Sequence, residues 1–153
     1  MITNLGRIRR RHKWLLGQMR QGIDMSLRDM GNDAVDFMAA SPGFNAHGRG
    51  PGTALGSVTK RVMRLKSGAK MVFRNTAKHA VWLEKGTPPH LIKARRAAFL
   101  HFFWPKAGRW IRTRSVNHPG TKAYQFMSRG ITKAGGRMFV NLHNRFRFIL
   151  KRF

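Results

Sequence analysis

The chain has 153 residues, no cysteine, and 31 Lys and Arg against five Asp and Glu, which gives a formal net charge of +26. Its length fits a single domain, and a hydrophobic content of 42% excludes a disordered polycation. The absence of cysteine excludes disulfides and thiolate chemistry, and no apolar run approaches the roughly 20 residues that span a bilayer.

The N-terminal segment is predicted to be a long amphipathic helix over residues 4–40, because its apolar residues recur at steps of three or four. Gly17, Gly22 and Gly31 lie within it, and each glycine costs about 1 kcal/mol relative to alanine. Such a helix is either stabilised by packing or interrupted. The short apolar stretch Trp14-Leu15-Leu16 does not make a secretory signal, so we expect synthesis in the cytoplasm.

The middle of the chain is predicted to hold a loop, a sheet and a short helix. Residues 41–56 are rich in glycine and polar side chains, which indicates a flexible loop. Residues 57–65 and 70–74 are predicted to form a hairpin around a turn at 66–68. Thr76 is predicted to cap a short helix that runs through Leu83. Further strands are predicted over residues 91–93, 98–104 and 110–116, the last two joined by a turn at 105–108.

The C-terminal segment, residues 124–153, is predicted to be helical over 124–150, with apolar side chains from Phe126 to Leu150 at helical spacing. Gly135-Gly136 is predicted to break this helix. There is no internal repeat. The order of helix, strands and helix therefore predicts one α+β domain over residues 1–153.

No catalytic, cofactor-binding or metal-binding site is predicted. Catalytic carboxylates converge in a cleft, whereas Asp24, Asp29, Asp33 and Asp36 lie along one predicted helix. The spacing of the last three favours a solvated acidic face, or one that docks a basic partner subunit, over a metal site. The seven histidines follow no zinc motif, and the glycine-rich stretch at 48–56 lacks the ending of a phosphate-binding loop.

The positive charge predicts a partner with negative charge, either nucleic acid or an acidic protein surface. Two basic clusters lie near the ends of the chain, and the second is interleaved with phenylalanines, an arrangement that suits phosphate neutralisation and base stacking. The clusters are Arg7, Arg9, Arg10, Arg11 and Lys13, and Arg145, Arg147, Lys151 and Arg152. No recognition-helix, zinc-finger or RNA-binding motif accompanies them. A non-enzymatic protein that binds nucleic acid without sequence preference is therefore one interpretation, and it rests on charge alone.

Two loop motifs stand on either side of a strand-like stretch, one over residues 80–90 and one over 116–127. Each contains Gly, Thr and Pro, which fix turns through positive φ or a locked φ. Glu84, in the first motif, is the only Glu in the chain and the only acid outside residues 24–36. We expect it to accept hydrogen bonds from its own turn or to pair with a basic side chain. His90 and His118 are expected to hydrogen-bond backbone groups.

In combination, these loops resemble the small head–tail joining (neck or tail-completion) proteins of long-tailed bacteriophages. The resemblance covers residues 53–135 and begins at a loosely matched Thr53-Ala54-Leu55-Gly56-Ser57. The residues that carry it are Glu84, Gly86, Thr87, Pro89, His90, Ile92, His118, Pro119, Gly120, Thr121 and Phe126. The chain departs from the family where His79 and Trp82 replace a usual Tyr, and where Ala123-Tyr124-Gln125 replaces a Pro-rich patch.

The resemblance implies a small twisted antiparallel sheet flanked by the N-terminal and C-terminal helices. It also implies a structural protein of the virion neck, made in the host cytoplasm, that forms a homo-oligomeric ring of six subunits around the DNA path. The implied partners are the head-side connector or stopper ring, the tail terminator or tail tube proteins, and transiting double-stranded DNA. Neither an enzymatic activity nor a membrane is implied.

Interaction residues follow from this resemblance and from the charge pattern. The two loops, Glu84–His90 and 117–122, and both basic clusters are expected to contact partners. Because identical subunits of this charge repel one another, the acidic face of Asp24, Asp29, Asp33 and Asp36 is expected to meet a basic face of the neighbouring subunit.

Overall fold

The computed structural model describes residues 3–41 and 52–153, so the loop predicted over 41–56 lies mostly outside the described residues. The elements, in chain order, are α1 (Thr3–Ala39), β1 (Val58–Leu65), β2 (Gly68–Asn75), α2 (Ala80–Lys85), β3 (His90–Lys93), β4 (Leu100–Trp104), a single 3-10 turn (Pro105–Ala107), β5 (Arg109–Thr113), β6 (Ser115–His118) and α3 (Phe126–Lys151). The fold class is α+β, as predicted, with two long helices flanking small antiparallel sheets. In the described part of the chain, no helix is long and apolar enough to cross a membrane.

The two long helices pack against each other in antiparallel orientation. Gly130 near the start of α3 faces Met38 at the end of α1, whereas Gly22 of α1 faces Phe146 near the end of α3. A Cβ atom at Gly22 would lie 3.4 Å from the Phe146 ring. Helix α1 is uninterrupted from Thr3 to Ala39, and at Gly22 and Gly31 close packing offsets the loss of helix propensity.

The predicted break at Gly135-Gly136 is wrong, because α3 runs without interruption from Phe126 to Lys151. Two adjacent glycines destabilise a helix by about 2 kcal/mol relative to two alanines. Burial of the neighbouring Ala134 against α1 stabilises this stretch, and a Cβ at Gly135 would lie 4.0 Å from Met30. Tertiary packing therefore overrides the local preference.

The first predicted hairpin is confirmed. Strands β1 and β2 pair in antiparallel register from Val58 opposite Asn75 to Leu65 opposite Gly68. The hairpin lies on the middle of α1, where Gly31 leaves room for the side chain of Met71.

The remaining four strands form a two-stranded ribbon over residues 87–121, which we call the β arm. Strand β3 pairs with β6, and β4 pairs with β5 across the 3-10 turn. The single strand predicted over 110–116 is wrong: it is split at Arg114 into β5 and β6. The cause is unequal spacing, since residues 94–99 separate β3 from β4 while Arg114 alone separates β5 from β6. Extra residues on one strand bend a ribbon, so the β arm divides into two ladders, β3–β6 and β4–β5. With the β1–β2 hairpin, the described strands form three two-stranded sheets in place of the single implied sheet.

The core lies where the end of α1, the turn before β1, α2 and the start of α3 meet. Its buried apolar residues are Ala34, Met38, Ala54, Leu55, Ala80, Phe126 and Ala134. Ala54 and Leu55 belong to the last residues of the predicted flexible loop, so this part of the prediction is wrong. The predicted cap at Thr76 is also wrong, because His79 precedes α2 without a side-chain cap and the Thr76 hydroxyl donates to the Ser57 carbonyl instead.

Candidate assembly and binding surfaces

The two loop motifs lie side by side and are bridged at their threonines. The Thr87 N–H donates to the Thr121 carbonyl at 3.0 Å, and the Thr121 N–H donates to the Thr87 carbonyl at 3.1 Å. The two hydroxyl oxygens lie 2.7 Å apart, within hydrogen-bonding distance. Thirty-four residues separate the pair along the chain. The fold therefore joins the two motifs through Gly86-Thr87 and Gly120-Thr121, which we call the threonine junction.

Glycine is required on both sides of the threonine junction. Gly86 and Gly120 adopt φ values of +73° and +85°, in the region that side chains disfavour. A Cβ atom at Gly86 would lie 2.4 Å from the Thr121 carbonyl oxygen, and one at Gly120 would lie 2.2 Å from that of Thr87. Each glycine thus makes room for the backbone of the opposite motif, which explains why both motifs contain the same dipeptide.

His90 and His118 extend the threonine junction into the β arm. They lie opposite each other in the β3–β6 ladder, with ring centroids 5.1 Å apart. His90 Nδ1 lies 2.9 Å from the Pro88 carbonyl oxygen, and His118 Nδ1 accepts the Gly120 N–H at 3.1 Å. The prediction that both histidines hydrogen-bond backbone groups is confirmed. Within the described residues, no group of three His, Asp or Glu side chains is placed to hold a metal ion.

Glu84 caps the start of helix α3. Its Oε2 accepts the Met127 N–H at 2.9 Å, and its Oε1 accepts both the Ser128 N–H at 3.0 Å and the Ser128 hydroxyl. The residue that precedes α3, Gln125, makes no side-chain cap of its own. The expectation that Glu84 serves its own turn or pairs with a basic side chain is therefore wrong: the carboxylate satisfies free N–H donors of another element and sits at the positive end of its dipole.

Backbone hydrogen bonds complete this connection between α2 and α3. The Tyr124 N–H donates to the Leu83 carbonyl at 2.9 Å, and the Gln125 N–H donates to the Glu84 carbonyl at 3.2 Å. Helix α2, the threonine junction and the start of α3 therefore form one block. The β arm extends from this block.

The β arm exposes large apolar side chains on both of its faces. Trp110 is 64% exposed and Phe103 is 48% exposed, and these two side chains pack edge to face on one side of the ribbon. On the other side, Phe102, Trp104 and Ile92 line an open groove of about 590 Å³. The arm contains no acidic residue. The aromatic residues were predicted to lie in strands but not to form a surface. Apolar residues at successive positions of a short strand were the available signal.

The two basic clusters, at opposite ends of the chain, come together in space. Because α1 and α3 are antiparallel, the start of α1 lies beside the end of α3, and the Arg11 guanidinium lies 5.0 Å from the centre of the Phe153 ring. We call residues 3–23 and 146–153 the helical tip. Arg10, Arg11 and Arg152 line one cleft of about 350 Å³ there, together with Trp14 and Phe153.

Arg145, the remaining member of the second cluster, serves the fold instead. Its guanidinium pairs with Asp29 of α1. In the same way, Arg64 of β1 pairs with Asp24, and Arg137 of α3 lies 3.5 Å from Asp33. These carboxylates hold α1 to its neighbours within the subunit. The contact of the Asp24–Asp36 face with a basic face of a neighbouring subunit stays a prediction. Asp36, the fourth acid, also interacts within the chain.

Comparisons with protein-family models, with curated proteins and with solved structures found no match for this chain. The resemblance to head–tail joining proteins therefore rests on the residues of the two loops. Their contacts to neighbouring virion proteins stay a prediction, whereas their contacts to each other are those of the threonine junction.

Proposed function

We propose that this protein is a structural component of the phage neck, which forms a homo-oligomeric ring between the head connector and the tail and surrounds the DNA path. The observation that carries the proposal is the threonine junction. Two Gly-Thr pairs that carry the family resemblance, Gly86-Thr87 and Gly120-Thr121, meet although they are distant in sequence, and they fix the base of an exposed arm. A chance likeness of two surface turns would not require them to meet.

The exposed apolar surface supports assembly. A folded monomer rarely leaves large contiguous apolar patches in contact with water, and such patches mark interaction sites. Trp110 and Phe103 are exposed on the β arm. Phe139 and Val140 of α3 are each more than half exposed. Four large apolar groups on two separate elements suit a subunit with a neighbour on each side.

The charge distribution restricts how subunits meet. Three of the five acids already pair with arginines of the same subunit, so contacts between identical subunits gain little from opposite charges. Apolar contact must then overcome the repulsion. A heterologous contact, in which the β arm of one subunit packs on a different surface of the next, can close into a ring. The β arm is therefore the subunit contact that we propose, whereas a contact through the acidic face stays a prediction.

Electron microscopy tests this proposal. Phage that lack the gene should produce filled heads and complete tails that are not joined, and the wild-type protein supplied in trans should restore joining. Trp110→Ser together with Phe103→Ser should leave the monomer folded but abolish ring formation and joining. Leu65→Ser, which changes a 50% exposed apolar residue on the β1–β2 hairpin, serves as the control. Joined particles in the absence of the gene would refute the proposal.

A further inference from the structure

The helical tip carries a dense and uncompensated positive charge. Nine basic side chains lie in its two segments, and neither segment contains Asp or Glu. The nine are Arg7, Arg9, Arg10, Arg11, Lys13, Arg20, Arg147, Lys151 and Arg152. The first acid beyond the tip on α1, Asp24, is already paired with Arg64. A polyanion bound at the tip would therefore relieve repulsion that the chain itself does not neutralise.

The cleft at the tip combines guanidinium groups with exposed aromatic rings. Arg10, Arg11 and Arg152 are all exposed, and guanidinium presents donors that match phosphate oxygens in bidentate geometry. Trp14 is 44% exposed and Phe153 is 43% exposed at the same cleft. Exposed rings among phosphate-binding side chains are the chemistry by which proteins hold single-stranded nucleic acid.

We propose that the helical tip binds the phosphate backbone of nucleic acid without sequence preference. Trp14 and Phe153 provide stacking surfaces when bases are unpaired. The proposal requires only the pairing of α1 with α3 and does not depend on ring formation.

The β arm is also basic and aromatic, but its groove is lined by one Lys or Arg side chain, Lys106. Arg112 and Arg114 both lie over the Phe99 ring, at 4.3 and 5.7 Å from its centre. Trp110 stacks on His101, with ring centroids 4.9 Å apart. At the tip, Arg11 and Arg152 also lie over rings, those of Phe153 and Phe148, but together with Arg10 they line one open cleft. The observations therefore favour the tip.

Fluorescence anisotropy with a short labelled duplex, and with one of its strands alone, tests the proposal over a series of NaCl concentrations. The triple variant Arg10→Ala, Arg11→Ala, Arg152→Ala should weaken duplex binding about tenfold or more at physiological salt. It should also lower the slope of log K against log[salt] by about 2 to 3, since each lost phosphate contact contributes about 0.9. The matched control, Arg74→Ala, Lys78→Ala, Lys85→Ala, removes the same charge from exposed positions elsewhere. An equal loss in this control would overturn the proposal.

Trp14→Ala tests the stacking surface separately. It should weaken single-strand binding about fivefold or more and leave duplex binding nearly unchanged, because only unpaired bases stack on a side chain. Equal affinity of Trp14→Ala and wild type for the single strand would overturn the role of this ring.

Polyglutamate is the competitor that distinguishes an acidic protein partner. If it displaced DNA as effectively as unlabelled DNA of equal charge, the tip would be a site for acidic protein and the proposal would fail.

Ultraviolet cross-linking of the wild-type protein to the single strand gives a readout that does not depend on variants folding. Mass spectrometry should find cross-linked peptides that contain Trp14 or Phe153. Cross-links confined to the β arm would overturn the proposal even if the triple variant proved unstable.

Discussion

Glu84 accepts two hydrogen bonds from Ser128, a residue 44 positions further along the chain, and so caps a helix to which it does not belong. The cap fixes α2 to the first turn of α3. Because the threonine junction begins two residues after Glu84, the same carboxylate also helps to position the base of the β arm.

Removing this carboxylate should destabilise the protein in proportion to the hydrogen bonds lost. Glu84→Ala removes the acceptors for Met127 and Ser128, and we expect the free energy of unfolding to fall by about 2–3 kcal/mol. Glu84→Gln keeps one acceptor oxygen and should cost about 1 kcal/mol. Urea denaturation followed by circular dichroism measures both. Ser128→Ala should have a smaller effect than Glu84→Ala, because it removes the hydroxyl and keeps the backbone donor; equal stability of Glu84→Ala and wild type would refute the cap.

The glycines of the threonine junction should not tolerate alanine. Gly86→Ala and Gly120→Ala each combine a positive φ with a Cβ atom placed against backbone, and we expect each to lower the free energy of unfolding by about 2 kcal/mol or more. Gly108→Ala is the matched control, since Gly108 has a φ of +62° but a Cβ added there would meet no atom within 4 Å. It should cost only about 1 kcal/mol. Three similar melting temperatures would contradict the close approach of the loops.

Two glycines of α3 should respond to alanine in opposite directions. At Gly136 a Cβ would meet nothing within 4 Å, so Gly136→Ala should stabilise the helix by up to about 1 kcal/mol. At Gly130 the Cβ would lie 2.6 Å from Met38 Cγ and 2.8 Å from the Ala34 carbonyl oxygen, so Gly130→Ala should destabilise the α1–α3 contact. Thermal melts of the two variants test this directly. A stabilising Gly130→Ala would show that the two helices do not pack closely at this position.

Added salt should stabilise the folded protein. With 31 basic and five acidic residues, repulsion among cations outweighs the attraction of the ion pairs made by Asp24, Asp29 and Asp33, and salt screens both. We expect the melting temperature to rise as NaCl increases from low to physiological concentration. KCl at the same ionic strength should act alike, because screening depends on charge and not on the identity of the cation. A melting temperature that falls with salt would mean that the ion pairs dominate.

The sequence was sufficient for those elements whose signal is local. Helix α1 was predicted from steps of three and four, and the β1–β2 hairpin from two strand-like stretches on either side of the turn Lys66-Ser67-Gly68. Predictions failed where a distant segment decides the outcome. Gly135-Gly136 does not break α3 because α1 packs against it, and Thr76 does not cap α2 because its hydroxyl meets Ser57.

The amino-acid sequence alone determined the α+β class, the positive charge and the residues of the two loops. It could not determine what those residues contact. Only the tertiary structure brings Thr87 onto Thr121, Glu84 onto Ser128 and Arg11 beside Phe153. The physical reason is that propensity and periodicity depend on neighbours a few residues away, whereas these contacts follow from the antiparallel packing of α1 on α3 and from the ribbon that returns residue 121 to residue 87.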